Sequence, residues 1–128
     1  MLLDRTIAPD FKIIQTVSLP EPKTYKLDNG IPLHVINIGE QPVVRLECIF
    51  DAGNWYEKQL AASYFAIKML PEGAGEMSSH EISEAFDNLG AFTEMTHTSD
   101  RIGIVVYCLS RFLPEVLPLV DKLIRSAT

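Results

Sequence analysis

The string His80-Glu81-Ile82-Ser83-Glu84 is a place where side chains able to do chemistry recur at helical spacing. Residues four apart share one face of a helix, so His80 and Glu84 could offer an imidazole and a carboxylate to one metal ion. The neighbouring residues give a simpler account. Ser78 followed three residues later by Glu81 is a capping box, which uses Glu81 to satisfy the first amides of a helix. His80 and Glu84 then fall on the exposed face of that helix, and no metal role is expected of them. His97 and Asp100 belong to "THTSDR", where a turn between strands calls for polar residues in any case. His34 alternates with apolar neighbours, as a packed or surface histidine does. Cys48 and Cys108 stand in apolar runs without CxxC spacing and read as buried free thiols.

The elements that would position these residues are legible from periodicity and punctuation. Residues 1–22 carry Pro9, Pro20 and Pro22 and little periodicity, so an extended leader packed on the surface is expected. "TYKLDNGIPLHVINI" reads as a hairpin, with Asn29-Gly30 supplying the positive φ angles of a tight turn. Pro32 has no N–H to donate and suits the start or the edge of the second strand. "VVRLECIFDAG" alternates, with Val44, Leu46, Cys48 and Phe50 on one face and Arg45 and Glu47 on the other. Residues 57–70 switch to helical spacing with Leu60, Tyr64 and Ile67 along one stripe, and Pro71, Gly73 and Gly75 end that helix. Trp55 and Tyr56 are expected to pack the strand-to-helix turn. The helix capped by Ser78 carries Ile82, Ala85, Phe86 and Leu89 on its buried stripe and closes at Gly90. Residues 91–98 and 101–109 read as strands, and 112–126 as a third helix entered through Pro114. This order is α+β, an antiparallel-rich sheet with helices on one face, and not a βαβ alternation.

Composition bounds the function. The 128 residues fit one domain, and 47% hydrophobic with 22% charged residues is an ordinary globular balance. A net charge of −6 opposes nucleic acid, whose phosphates demand a basic face. No apolar run approaches the ~20 residues of a membrane span. "MLLDRTIAPDF" has neither a basic n-region nor an apolar h-region, so a soluble cytoplasmic protein is expected.

The same order of elements, with "LDNGIPLHVI", "FDAGNWYE", the helix, "HEISEAFDNLGA" and the "THTSD" hairpin, resembles the insulinase/pitrilysin (M16) family of zinc peptidases. The resemblance spans about residues 24–125, and residues 23–128 read as the N-terminal part of such a domain. In that family the helix after the "AG…E" turn carries His-x-x-Glu-His. Two imidazoles one turn apart grip zinc, and the Glu acts as general base on the metal-bound water. Setting "KMLPEGA" against the family's "HMLFKGT" pattern puts Tyr64, Ile67 and Lys68 at the three functional positions. Ile67 can neither accept nor donate a proton. Deprotonating Lys68 at pH 7 costs about 4–5 kcal/mol from its reference pKa. Tyr64 could bind only as a phenolate. The third ligand of the family, a Glu, falls beyond Thr128, and the full polypeptide of the family has two such domains, so a longer protein is expected.

The resemblance therefore implies a homologue without metal or peptidase activity, of the kind that pairs with an active subunit to enclose a peptide chamber. Catalytic residues and cofactor are expected to be absent, where active relatives hold zinc. The ammonium of Lys68 is expected to reach solvent or an acidic side chain. Expected partners are an active family member or a second copy of the chain, with extended peptides as ligands and neither nucleic acid nor membrane. The family adds its substrate to the strand after the second helix, which places Glu94, Met95 and Thr96 at the peptide-contacting positions. Glu94 and Met95 depart there from the Asn and Ala of the family. Two alternatives stand beside this reading: an active zinc endopeptidase with divergent ligands, and a purely structural interaction module.

Overall fold

The computed structural model describes residue 6, residues 11–13 and residues 15–128. The chain divides into two units, Met1–Glu40 and Gln41–Thr128.

In the first unit β1 (Lys23–Lys26) pairs antiparallel with β2 (Pro32–Val35). The connection is wider than the expected Asn29-Gly30 turn. Leu27 N–H donates to Ile31 O at 2.9 Å and Gly30 N–H to Leu27 O at 2.8 Å, so the loop runs from Leu27 to Ile31. Only Gly30 takes a positive φ, +86°. Asn29 contributes its side chain instead, accepting the Ile31 N–H on Oδ1 at 3.1 Å. His34 is a surface residue, its Nδ1 2.9 Å from Thr24 Oγ1 across the hairpin. Of the expected leader, residues 11–13 and 15–22 are exposed and irregular, while residues 1–5, 7–10 and 14 lie outside the described residues.

The second unit is built on a three-stranded antiparallel sheet in the order β3-β7-β6, from β3 (Val43–Phe50), β6 (Phe92–His97) and β7 (Ile102–Leu109). β7 is central, and its Ile104, Val105 and Val106 are at most 1% exposed. Burial of each such side chain stabilises by about 1.5–3 kcal/mol. Three helices cover one face: α1 (Ala62–Lys68), α2 (Ser79–Asn88) and α3 (Leu113–Arg125). Ile67, Ile82, Phe86, Val116, Val120 and Leu123 meet Ile104, Val106 and Cys108 in one core. Val44 and Cys48 pack against it from β3, as the alternation predicts, but Phe50 at the strand end is exposed. Cys48 and Cys108 are free, and burial raises both thiol pKa values, which leaves them weak nucleophiles.

α2 forms where its punctuation places it. Ser78 Oγ accepts from Glu81 N–H, and the Glu81 carboxylate accepts the Ser78 N–H at 2.9 Å. Gly90 closes the helix at φ +57°. A short hairpin of β4 (Gly73–Ala74) and β5 (Met77–Ser78) precedes it and is tied to the segment after α3 by Thr128 N–H donating to Gly73 O at 3.0 Å.

α1 departs from expectation. It begins at Ala62, because Ala61 stands in the left-handed region at φ +65° and the chain from Glu57 to Ala61 is a turn. Leu60 thus leaves the predicted stripe and is 96% exposed, and Tyr64 is half exposed. The buried line runs through Ser63 and Ile67. Trp55 and Tyr56 do not pack the turn: they are 79% and 60% exposed. Gly53 packs it instead. A Cβ there would stand 2.5 Å from Thr98 O and 2.6 Å from the backbone nitrogens of Asp100 and Arg101. Trp55 N–H then donates to Ser99 O at 2.9 Å.

These contacts are all backbone and cannot yield as a flexible side chain would. Gly53→Ala is expected to destabilise the protein by about 2–3 kcal/mol, the upper range for overpacking. Urea unfolding measures it; an unchanged midpoint would show that the β6–β7 turn is free to move away.

Candidate functional site

A helix of seven residues is too short to persist on propensity. α1 is held by side chains at both ends. At its start Glu57 works as a capping acceptor: Oε1 takes the Ala61 N–H at 3.0 Å, and Oε2 takes the Ser63 N–H at 3.0 Å. Oε2 also accepts the Ser63 hydroxyl at 2.7 Å, and Ser63 Oγ lies 2.9 Å from His97 Nε2 on β6. Asn54 Oδ1 stands farther off, 3.4 Å from the same hydroxyl.

Serine, histidine and glutamate in contact invite comparison with a hydrolytic triad, but the protons run the wrong way. A carboxylate only accepts, so the single Ser63 proton points to Glu57. His97 must then donate from Nε2–H to Ser63 Oγ, and it cannot act as base toward that hydroxyl. The cluster is a strut from β6 through Ser63 to Glu57. Ser63 is buried, and its hydroxyl is satisfied on both sides. The hydrogen bonds from the Ser63 hydroxyl and amide hold the Glu57 carboxyl below its ordinary pKa.

Only one member of this cluster carries a local signal in the sequence. Ser63 is a lone hydroxyl one turn before Ile67 on the buried line, which is a signal for a buried hydrogen bond. Its partner His97, 34 residues away, has no local signal.

Of the three positions singled out on α1, two meet β6 and one turns away from it. Tyr64 faces β6 and meets the His97 ring edge-on at 5.6 Å. Ile67 turns into the core at 1% exposure. Lys68 is exposed, and its Nζ donates to the backbone carbonyl of Met95 at 2.9 Å. Its charge reaches solvent as expected, with a carbonyl as partner and not an acidic side chain. As a donor set these residues do not fit zinc: one is carbon in the core, and another is an ammonium already donating. Among the described residues no group of three or more His, Cys, Asp or Glu is placed to hold a metal. His80, Glu81 and Glu84 are exposed on α2, with Glu81 used in the cap.

Glu94, Met95 and Thr96 all lie on β6, an edge of this sheet. Thr98 N–H donates to Arg101 O at 2.8 Å, so by antiparallel alternation Phe92, Glu94 and Thr96 turn their amides toward β7. Thr93, Met95 and His97 present theirs to the open side. Of the three expected contact residues, only Met95 offers its backbone there. The Thr96 hydroxyl is used within the sheet, donating to Gly103 O at 3.2 Å.

A carboxylate with a lowered folded-state pKa stabilises the fold above its unfolded pKa, and that contribution is lost as pH falls through the folded value. Glu57→Gln is therefore expected to lower stability at pH 7 and to flatten the loss of stability between neutral and acid pH. Urea midpoints across that range measure it; a variant profile parallel to the original would mean that Glu57 has no such role.

No protein-family profile and no curated protein matches the sequence. Solved structures do match the fold. A peptidase M16 inactive domain from Pseudomonas fluorescens aligns with TM-score 0.78 and 22% identity over 84% of this chain. A protease from Helicobacter pylori aligns with TM-score 0.75 and 15% identity over 86%. This chain spans 27% of the length of each. No helix among the described residues is long and apolar enough to cross a membrane. Over the span that aligns, the chain has the α+β fold of a peptidase M16 domain.

Proposed function

We propose that this chain is a non-catalytic homologue of the insulinase/pitrilysin zinc peptidases, holding no zinc and hydrolysing no peptide. It serves as the inactive half or subunit that pairs with an active family member in a peptide-handling assembly of the cytoplasm. The observation that carries this reading is the state of α1. Lys68 donates to Met95 O, and Ile67 is buried where the family places its general base. The likeness to a peptidase M16 inactive domain supports it at the level of fold.

The chain's part in such an assembly is contact with extended peptide along β6. An edge strand offers unpaired N–H and C=O groups, which pair with any extended backbone and make little demand on its sequence. Thr93, Met95 and His97 turn their backbone groups to that edge, the Met95 carbonyl in contact with Lys68, while Glu94 and Thr96 flank them with side chains on the opposite face of the sheet.

Two measurements test the reading. Elemental analysis after soaking in zinc and desalting is expected to find essentially none retained; a stoichiometric zinc would sink the inactive-site reading. Extended peptides are expected to slow amide hydrogen exchange at Thr93, Met95 and His97. Protection confined to other elements, or none at millimolar peptide, would leave a scaffold without a peptide role.

A further inference from the structure

We propose that Lys68 is a displaceable latch on the β6 edge, which an extended peptide must move aside in order to pair. The proposal rests on the peptide-contact reading above and assigns that site its regulation.

Met95 is the middle of the three residues that turn their amides outward. Lys68 comes from another element, 27 residues away, and sets its Nζ 2.9 Å from Met95 O. That is a full hydrogen bond to an acceptor that an added strand would also use, since backbone N···O distances are about 2.9 Å. The added backbone would run about 4.8 Å from β6 and approach the carbonyl against which the lysine head is set. Ammonium and strand therefore compete for one carbonyl. A charged donor bonds more strongly than a neutral amide, so the latch is closed at rest. The side chain is exposed, so the ammonium can leave into water without stranding a buried charge.

Edge strands are commonly protected by lysine, proline or a bulge. β6 contains no proline and pairs with β7 in unbroken register; Glu94 lies in the strand with its amide turned toward β7, and Lys68 adds a charge at the outward carbonyl of Met95. Arg at this position keeps a charged donor, whereas Met keeps the length and removes it.

The test uses the whole chain with Lys68→Met and Lys68→Arg, and a fluorescein-labelled octapeptide of alternating threonine and valine as probe. Lys68→Met is expected to bind the probe about tenfold more tightly, the factor that 1.4 kcal/mol makes, with exchange protection at Thr93, Met95 and His97. Lys68→Arg is expected to stay near the original affinity. Without peptide, the Met95 carbonyl carbon resonance should move upfield in Lys68→Met as its hydrogen bond is lost. Equal binding by all three proteins at this edge overturns the latch and leaves the peptide reading standing. A carbonyl resonance that does not move in Lys68→Met overturns the latch without reference to any peptide. Movement of the resonance with no binding by any of the proteins overturns the peptide reading, and the proposal falls with it.

Discussion

Strand β7 is hydrogen-bonded along both edges and buried on both faces, and the other elements of residues 41–128 take their places from it. Ser110 N–H donates to Pro42 O at 2.8 Å, which sets the alternation on that side: Ile102, Ile104, Val106 and Cys108 bond to β3, while Gly103, Val105 and Tyr107 bond to β6. Side chains follow the same alternation, so Ile104, Val106 and Cys108 meet the helices. A slip of one residue would carry all three to the other face. Gly103 permits the close spacing, since a Cβ there would stand 2.9 Å from both Cys48 O and Thr96 Oγ1. The register of β7 thereby decides which amides of β6 remain outward.

α1 depends on that register in turn. It is fastened to β6 near both ends, through Glu57, Ser63 and His97 at its start and through Lys68 and Met95 O at its finish. Ile67 is buried between these two attachments and joins the helix to the core. Each fastening uses a polar group that would otherwise be costly or idle: a hydroxyl below water's reach, a lone edge carbonyl, the first free amides of a short helix. Their sum gives a seven-residue helix a fixed orientation that propensity could not supply.

The same fastenings give the side chains of α1 structural work. Residues four apart on a helix still face the strand together, as Tyr64 and Lys68 do. At the two ends of this spacing stand an aromatic edge and an ammonium. An ammonium beside an edge strand finds a carbonyl, and an alkyl group between them finds the core.

Much of the architecture was legible as local chemistry. The capping box of Ser78 and Glu81, the close at Gly90, the alternation of residues 43–48 and the apolar run of 102–109 are one-dimensional signals, because their partners lie within a few residues or within one strand period. Other features were not, because they join residues distant in sequence. Periodicity set the helix start at residue 57, but Glu57 serves as a cap and Ala61 turns left-handed, so the helix begins at Ala62 and Leu60 faces water. Trp55 and Tyr56 looked like packing residues, yet the close approach of Gly53 to the 98–101 backbone closes that turn without them. The contacts of Ser63 with His97 and of Lys68 with Met95 depend on how a helix lies against a strand about 30 residues away. That placement follows from the shared core, and no local pattern of residues encodes it.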